Sequence, residues 1–273
     1  MLPSEEIDEN GIFLPPIREL GEDLVVVTKG QQVWTLLKPL LCIGSYIAFA
    51  IAGIWPLAII SIVFLTFNTF VSSSHDLVHF SLGLPRKVND RWLSALELLS
   101  LRSGHAFRTC HWNHHKSFPS MQDIEGRAVH WGLIRTLLEG PIYIPKLYFW
   151  ALRNAKPADR GIIAREGIAV LILATLCLAL LPWTPLPAIY AGLVTFMAWV
   201  YPLATVYIPH VVADHKLFQT RAFRGPIVSF LFAQHNYHLE HHLYPTVPHH
   251  HWAKLGKRLE PYFTKHGVKP IKF

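Results

Sequence analysis

The sequence predicts an all-α integral membrane protein with four transmembrane helices in two hairpins and a cytoplasmic helical cap that carries the chemistry. Three observations predict it. Of the 273 residues, 51% are hydrophobic and only 16% are charged, a balance that excludes a disordered chain and a nucleic-acid-binding arm. Two long stretches, Pro39 to Ser74 and Gly167 to Pro209, contain no Asp, Glu, Lys, Arg or His. Histidine is in excess, 17 residues against 18 Asp and Glu together, and much of it gathers just outside those stretches.

The charge-free stretches set the spans. As single helices they would run roughly 54 and 64 Å, against a hydrocarbon core of about 30 Å. Each therefore reads as two spans joined by a turn. The first pair covers about 39–53 and 57–74, broken at Gly53-Ile54-Trp55-Pro56. The second covers about 167–181 and 188–209, broken at Pro182-Trp183-Thr184-Pro185-Leu186-Pro187. Spans one and three are short. Trp34 to Leu37 extend the first, with Lys38 snorkelling. Residues 1–38 form an acidic N-terminal segment without the basic start and apolar run of a signal peptide, 39–260 the membrane domain, and 261–273 a tail.

The connecting segments give the orientation. Residues 75–166 and 210–273 are both basic, so the positive-inside rule places them, with both termini, in the cytoplasm. Within 75–166, the apolar stretches Arg91–Leu101 and Val129–Arg153 read as helices at the cytoplasmic interface. Three cysteines in a chain of this length build no disulfide scaffold, and Cys42 and Cys177, inside spans, act as small hydrophobes. There is no phosphate-cradling glycine loop.

Three histidine clusters follow the predicted spans. They are His75-Asp76-Leu77-Val78-His79, His111-Trp112-Asn113-His114-His115 and His238-Leu239-Glu240-His241-His242, with His235 one turn before the last. Residues at i, i+3 and i+4 share a helix face, so the first presents two imidazoles together and the others three each. Eight neutral nitrogen donors are too many for one metal and suit two, and they favour iron, copper, nickel or zinc over magnesium or calcium. His210, in Tyr207-Ile208-Pro209-His210 at the end of span four, is the candidate ninth ligand. His215 competes with it, and His105 is a weaker candidate. Asp76 and Glu240, and after them Asp123 and Glu125, are candidates to accept the second N–H of a ligand imidazole. His249, His250 and His251, in a Pro-flanked segment before a basic helix, read as exposed. The basic residues beside them, Lys254, Lys257 and Arg258, suit an acidic electron donor or an anionic leaflet.

The order HDLVH, HWNHH and HNYHLEHH, set against two membrane hairpins, resembles the membrane fatty acid desaturase superfamily, which also contains carotenoid ketolases and hydroxylases. The resemblance covers roughly residues 39–260. The run His241-His242-Leu243-Tyr244-Pro245-Thr246-Val247-Pro248 resembles the family's third-box extension, and Ile208-Pro209-His210 with Thr246-Val247-Pro248 resembles bacterial carotenoid ketolases in particular. The resemblance implies two non-haem iron ions, O2 as co-substrate, and a lipid or carotenoid substrate in the bilayer. It also implies a separate electron donor, ferredoxin-like or a small cytochrome with its reductase. Hydrogen removal from an unactivated CH2 group needs an oxidant stronger than any side chain, which fits such a centre.

The reading is therefore a di-iron oxidoreductase that desaturates a lipid acyl chain. Its nearest rivals are a carotenoid ketolase or hydroxylase, or another lipid hydroxylase, on the same ligands. A membrane zinc hydrolase of lipid amides, drawing on Ser72, Ser73 or Ser74, would leave five histidines over. A metal transporter would bind its ion near the midplane, whereas these histidines lie at or beyond the span ends.

Overall fold

The computed structural model describes residues 14–210, 220–232 and 234–272. Its helices, in chain order, are α1 (Ile17–Leu20), α2 (Lys29–Ile51), α3 (Trp55–Asn68), α4 (Ser74–Val78), α5 (Arg86–Leu99), α6 (Gly104–Ser117), α7 (Gly132–Asn154), α8 (Pro157–Ala179), α9 (Leu186–Ala198), α10 (Ile208–His210), α11 (Pro226–Leu231), α12 (His238–Leu243) and α13 (Trp252–Lys265). Two short strands, β1 (Phe223–Arg224) and β2 (Ile271–Lys272), pair in parallel. Among the described residues, four helical stretches are long and apolar enough to cross a membrane: Glu22–Ile51, Trp55–Val78, Pro157–Ala179 and Leu186–His210. Their outward faces carry exposed apolar side chains such as Ile51, Leu171 and Phe196.

Two of these helices begin earlier than the charge map suggests. α2 starts at Lys29 rather than near 39, and α8 at Pro157 rather than near 167. Local signals explain both starts. Thr28 and Gln31 form a capping box, each side chain bonding the other's backbone N–H, and Pro157 occupies the first turn of α8. The charges that seemed to end these spans have partners instead. Lys38 donates to Ser72 Oγ at 3.4 Å, and Glu166 is bonded by Ser103 and His105 of α6.

Spans two and four share a local irregularity. Between α3 and α4, residues Thr69–Ser73 form a π-helical turn, and Pro202–Tyr207 form another before α10. Side-chain hydroxyls line the first, Thr69 Oγ1 donating to the Leu65 carbonyl at 2.8 Å and Ser72 Oγ to that of Asn68 at 2.7 Å. A wider turn inserts a residue and re-aims the helix beyond it, and such turns concentrate at functional sites. Here they precede His75 and His210.

The segment expected to lie on the interface as Arg91–Leu101 does form a helix, α5, but its C-terminal end sits among the spans. Leu101 packs into a cluster with Tyr46, Ile62 and Val194, and the Tyr190 hydroxyl donates to the Leu99 carbonyl at 2.6 Å. Ser100 and Arg102 reach Thr69 of span two. The polar cargo of this tip is neutralised internally, Arg102 pairing with Glu97 at 2.8 Å while its guanidinium lies over the Phe70 and Tyr201 rings. Gly104 makes the return into α6 feasible, since a Cβ there would stand 2.8 Å from the Leu93 carbonyl oxygen. α7, the other expected interfacial helix, presents Ile134 and Leu138 outward and buries Tyr143, Leu147 and Ala151. A separate core of Leu24, Leu239, Val247, Trp252, Leu255 and Phe263 joins the start of the described chain to its end.

Candidate metal centre

Among the described residues, eight histidines converge in two groups. In each, one ring nitrogen per residue lies within 4.8 Å of all the others. His75, His79, His111 and His241 make the first, and His114, His210, His238 and His242 the second. The elements supplying them differ in kind. α4 ends span two, α6 descends from the tip between the spans, α10 ends span four, and α12 is a six-residue helix close to the end of the membrane domain.

The groups do not match the sequence clusters. The HWNHH helix sends His111 to the first group and His114 to the second, and α12 sends His241 to the first and His238 and His242 to the second. His115 stands between them. Its Nε2 is 3.1 Å from His111 Nε2 and 2.8 Å from His241 Nε2, and its ring centroid is 4.5 Å from that of His242. His210 Nε2 is 3.0 Å from His238 Nε2, and His242 Nε2 is 3.1 Å from the same atom. Nitrogens converging at about 3 Å are spaced like neighbours around one ion roughly 2.0–2.1 Å from each.

Buried orphan atoms point the same way. Both ring nitrogens of His75, Nε2 of His79, and Nδ1 of His238 and His241 have no hydrogen-bond partner among the described residues. Buried donors and acceptors are normally satisfied, so this concentration of unmet imidazole nitrogens fits metal ions. Burial, aided by neighbouring imidazoles, pushes the pKa values of His79, His115, His238, His241 and His242 well below the usual histidine range, leaving neutral rings able to ligate. His114 goes the other way. Burial opposes its charge, but Asp123 outweighs it and raises the pKa.

Two carboxylates orient rings of the two groups. His111 Nδ1 donates to Glu125 Oε1 at 3.0 Å and His114 Nδ1 to Asp123 Oδ2 at 2.7 Å, leaving each Nε2 for an ion. Gly126 makes room for this, since a Cβ there would collide with Asp123 Oδ2, and the Tyr143 hydroxyl holds the Glu125 carbonyl at 3.1 Å.

Asp76 and Glu240 do not bond the imidazoles of either group, unlike the expectation that they accept a ligand ring's N–H. Asp76 binds His249, and Glu240 forms an ion pair with Arg224. Burial, against Arg224, still raises the Glu240 pKa to about 7. His249, His250 and His251 are also corrected: His249 is buried and the other two are half-buried, because the segment folds back onto α2. His250 Nε2 lies 2.6 Å from Thr35 Oγ1, and His251 Nδ1 2.8 Å from the Leu24 carbonyl. His105 is removed from the cluster by its bond to Glu166 at 2.7 Å, and His215 lies outside the described residues. His235 is buried with both ring nitrogens unpartnered among the described residues, its ring 4.3 Å from that of His238. Trp252, not singled out from sequence, packs its ring 5.4 Å from His75 and 5.2 Å from His241.

An apolar cavity of about 580 Å³ opens where α7, α8 and α9 meet the α5–α6 tip, lined by Leu101, Ile144, Tyr148, Ile168 and Leu171 among others. It shares Arg102, Ser103, Ile144 and Tyr148 with a small cavity that Phe107 also lines, and the Phe107 ring is 5.4 Å from that of His111.

A sequence model of the family described as fatty acid desaturase matches residues 51–273. The chain belongs to the fatty acid desaturase family. The matched region of this desaturase-family chain contains all eight histidines of the two groups, and His115. The human sphingolipid delta(4)-desaturase/C4-monooxygenase DES2 is 23% identical over 204 residues, 70% of this chain and 61% of that protein. The chain thus spans about three fifths of the length of the curated relative it matches. Both histidine groups able to bind metal thus lie within the stretch that carries the family match.

Proposed function

We propose that this chain is a membrane di-iron oxidoreductase that uses O2 and external electrons to desaturate a lipid acyl chain. The observation that carries the reading is the convergence of eight buried or half-buried imidazoles into two four-membered groups with His115 between them. The proposed ligands are His75, His79, His111, His114, His115, His210, His238, His241 and His242. When bound, the two irons supply the O2 chemistry that removes hydrogen from an unactivated CH2 group. In the balanced reaction, two hydrogens leave adjacent carbons, two electrons and two protons enter, and O2 becomes two waters.

The residues of the chain do the rest. Glu125 and Asp123 hold the Nδ1 protons of His111 and His114, fixing tautomer and aim. The apolar cavity beside the α5–α6 tip supports a tail drawn laterally from the bilayer, and its boundary with Phe107 leads towards His111. Basic 75–166 and 210–273 segments support a cytoplasmic location for the termini and the metal groups. The electron donor is then a separate ferredoxin-like protein or small cytochrome with its reductase.

A second reading has its own support. The name of the human relative joins a desaturase with a C4-monooxygenase, so hydroxylation on the same ligands results if oxygen returns to the carbon. Lipid and pigment profiling of a host with and without the expressed chain separates the outcomes, with His241→Ala as control. New acyl double bonds support desaturation, and hydroxylated lipids the second reading. Oxygenated carotenoids would replace both with a ketolase. Two irons per purified chain fit the proposal, and a single zinc overturns it.

A further inference from the structure

The three consecutive histidines after the third cluster belong to neither metal group, yet His249 is as buried as the ligands themselves. Its side chain and backbone both engage Asp76, the residue next to His75. The His249 backbone N–H donates to Asp76 Oδ1 at 3.0 Å, and Nδ1 donates to Oδ2 at 2.6 Å. With the proton on Nδ1, Nε2 is the acceptor that faces Lys38 Nζ at 3.4 Å. Asp76 is 1% exposed and His249 4%, so water competes for neither bond.

The position of Asp76 gives this contact leverage. Successive residues on an α-helix are turned by about 100°, so clamping Asp76 in two places fixes the rotation of α4, and with it the directions of His75 and His79. The other end of the clamp leads within three residues to Trp252, which lies against both His75 and His241. The pair thus ties the end of span two to the segment after α12. The end of span two and α12, from which that segment continues, supply three of the four imidazoles of the first group. Metal sites hold their ligands only within about 0.5 Å of the working position, a tolerance that helices as short as α4 and α12 do not meet unaided. His250 and His251 fasten the same segment to α2 and to the Leu24 carbonyl without touching Asp76.

We propose that Asp76 and His249 are the positioning pair of the first metal group, registering His75 and His79 against His241. The inference rests on the di-iron reading. Its test compares His249→Asn with His249→Gln in the full chain, purified in nanodiscs and loaded anaerobically with 57Fe(II). Asn keeps a donor where Nδ1 stands, and Gln moves it beyond reach of Asp76.

The wild type and His249→Asn are expected to hold two irons per chain with the same Mössbauer spectrum. His249→Gln and His249→Ala are expected to lose about half the iron and to leave the spectrum of His79→Ala. His250→Ala and His251→Ala are expected to keep both ions. Equal behaviour of the Asn and Gln variants overturns the proposal, as does equal loss in His250→Ala. Failure of the underlying reading is visible without any variant, as a wild-type chain that does not take two irons, and the proposal falls with it.

Discussion

His241 and His242 are consecutive in the chain, yet their imidazoles belong to different groups, with ring centroids 5.7 Å apart. Neighbouring residues on a helix point about 100° apart, so a histidine doublet cannot serve one ion comfortably but can straddle two. His114 and His115 diverge similarly, with centroids 5.9 Å apart, His114 in the second group and His115 between the two. The doublets let short helices contribute to both histidine groups.

Single substitutions in the doublet should therefore remove different ions. His241→Ala and His242→Ala are each expected to retain about one iron of two, with distinct residual spectra, and to lower turnover more than about 100-fold. Metal analysis alongside Mössbauer spectra checks this. Identical residual spectra would mean that the two groups do not act as separate sites.

The carboxylates divide in the same way. Glu125→Gln and Asp123→Asn should weaken iron affinity by about 10–100-fold, because each loosens one ligand ring. Glu240→Gln touches Arg224 rather than an imidazole of either group and should change iron affinity much less than Glu125→Gln does. Competitive chelator titration measures all three, and an unchanged affinity in Glu125→Gln would remove its orienting role.

Stripping the metal should destabilise the fold. Ring nitrogens such as those of His75 are buried without partners among the described residues, so the apo chain is expected to hold them unsatisfied. Loading at about 100 times Kd is expected to add about 2.7 kcal/mol per site, seen as a higher unfolding midpoint in detergent. No shift on reloading would argue against ions binding the native groups.

The tip between the spans offers a charge test. Arg102→Met alone strands the Glu97 carboxylate in a dry core and should lower stability by about 3–5 kcal/mol. Glu97→Leu with Arg102→Met removes both charges and should recover most of that loss. Denaturant unfolding of the two variants decides it, and a double variant no better than the single one would show that packing, not charge, dominates.

Much of this architecture was legible because hydrophobic runs and histidine spacing answer directly to burial and ligation. The four spans followed from charge-free stretches. The nine metal-facing histidines of the proposal followed from i, i+3 and i+4 spacing plus the Pro209-His210 span end. What the sequence concealed were partnerships. Glu166 stands just before a charge-free stretch and Arg102 just after an expected interfacial helix, and nothing in the sequence names a partner for either. Their partners, His105, Ser103 and Glu97, are brought to them only by the way α5 and α6 enter the bundle. Proline-flanked His249 read as surface for the same reason, since its acceptor lies on a helix far away in the chain. Asp123 and Glu125 could be weighed only by type, and distance separated them from Asp76 and Glu240.

The bonds to Glu166 also set an order of events during synthesis. Its carboxylate accepts from Ser94, Ser103, the His105 side chain and the His105 backbone, and so completes the N-terminal end of the helix that bears HWNHH. That glutamate lies on span three, which the ribosome makes after the α5–α6 tip. The tip, with its own ion pair, has no reason to enter lipid until spans three and four arrive to enclose it. The second histidine cluster therefore reaches its final setting only once span three has been made.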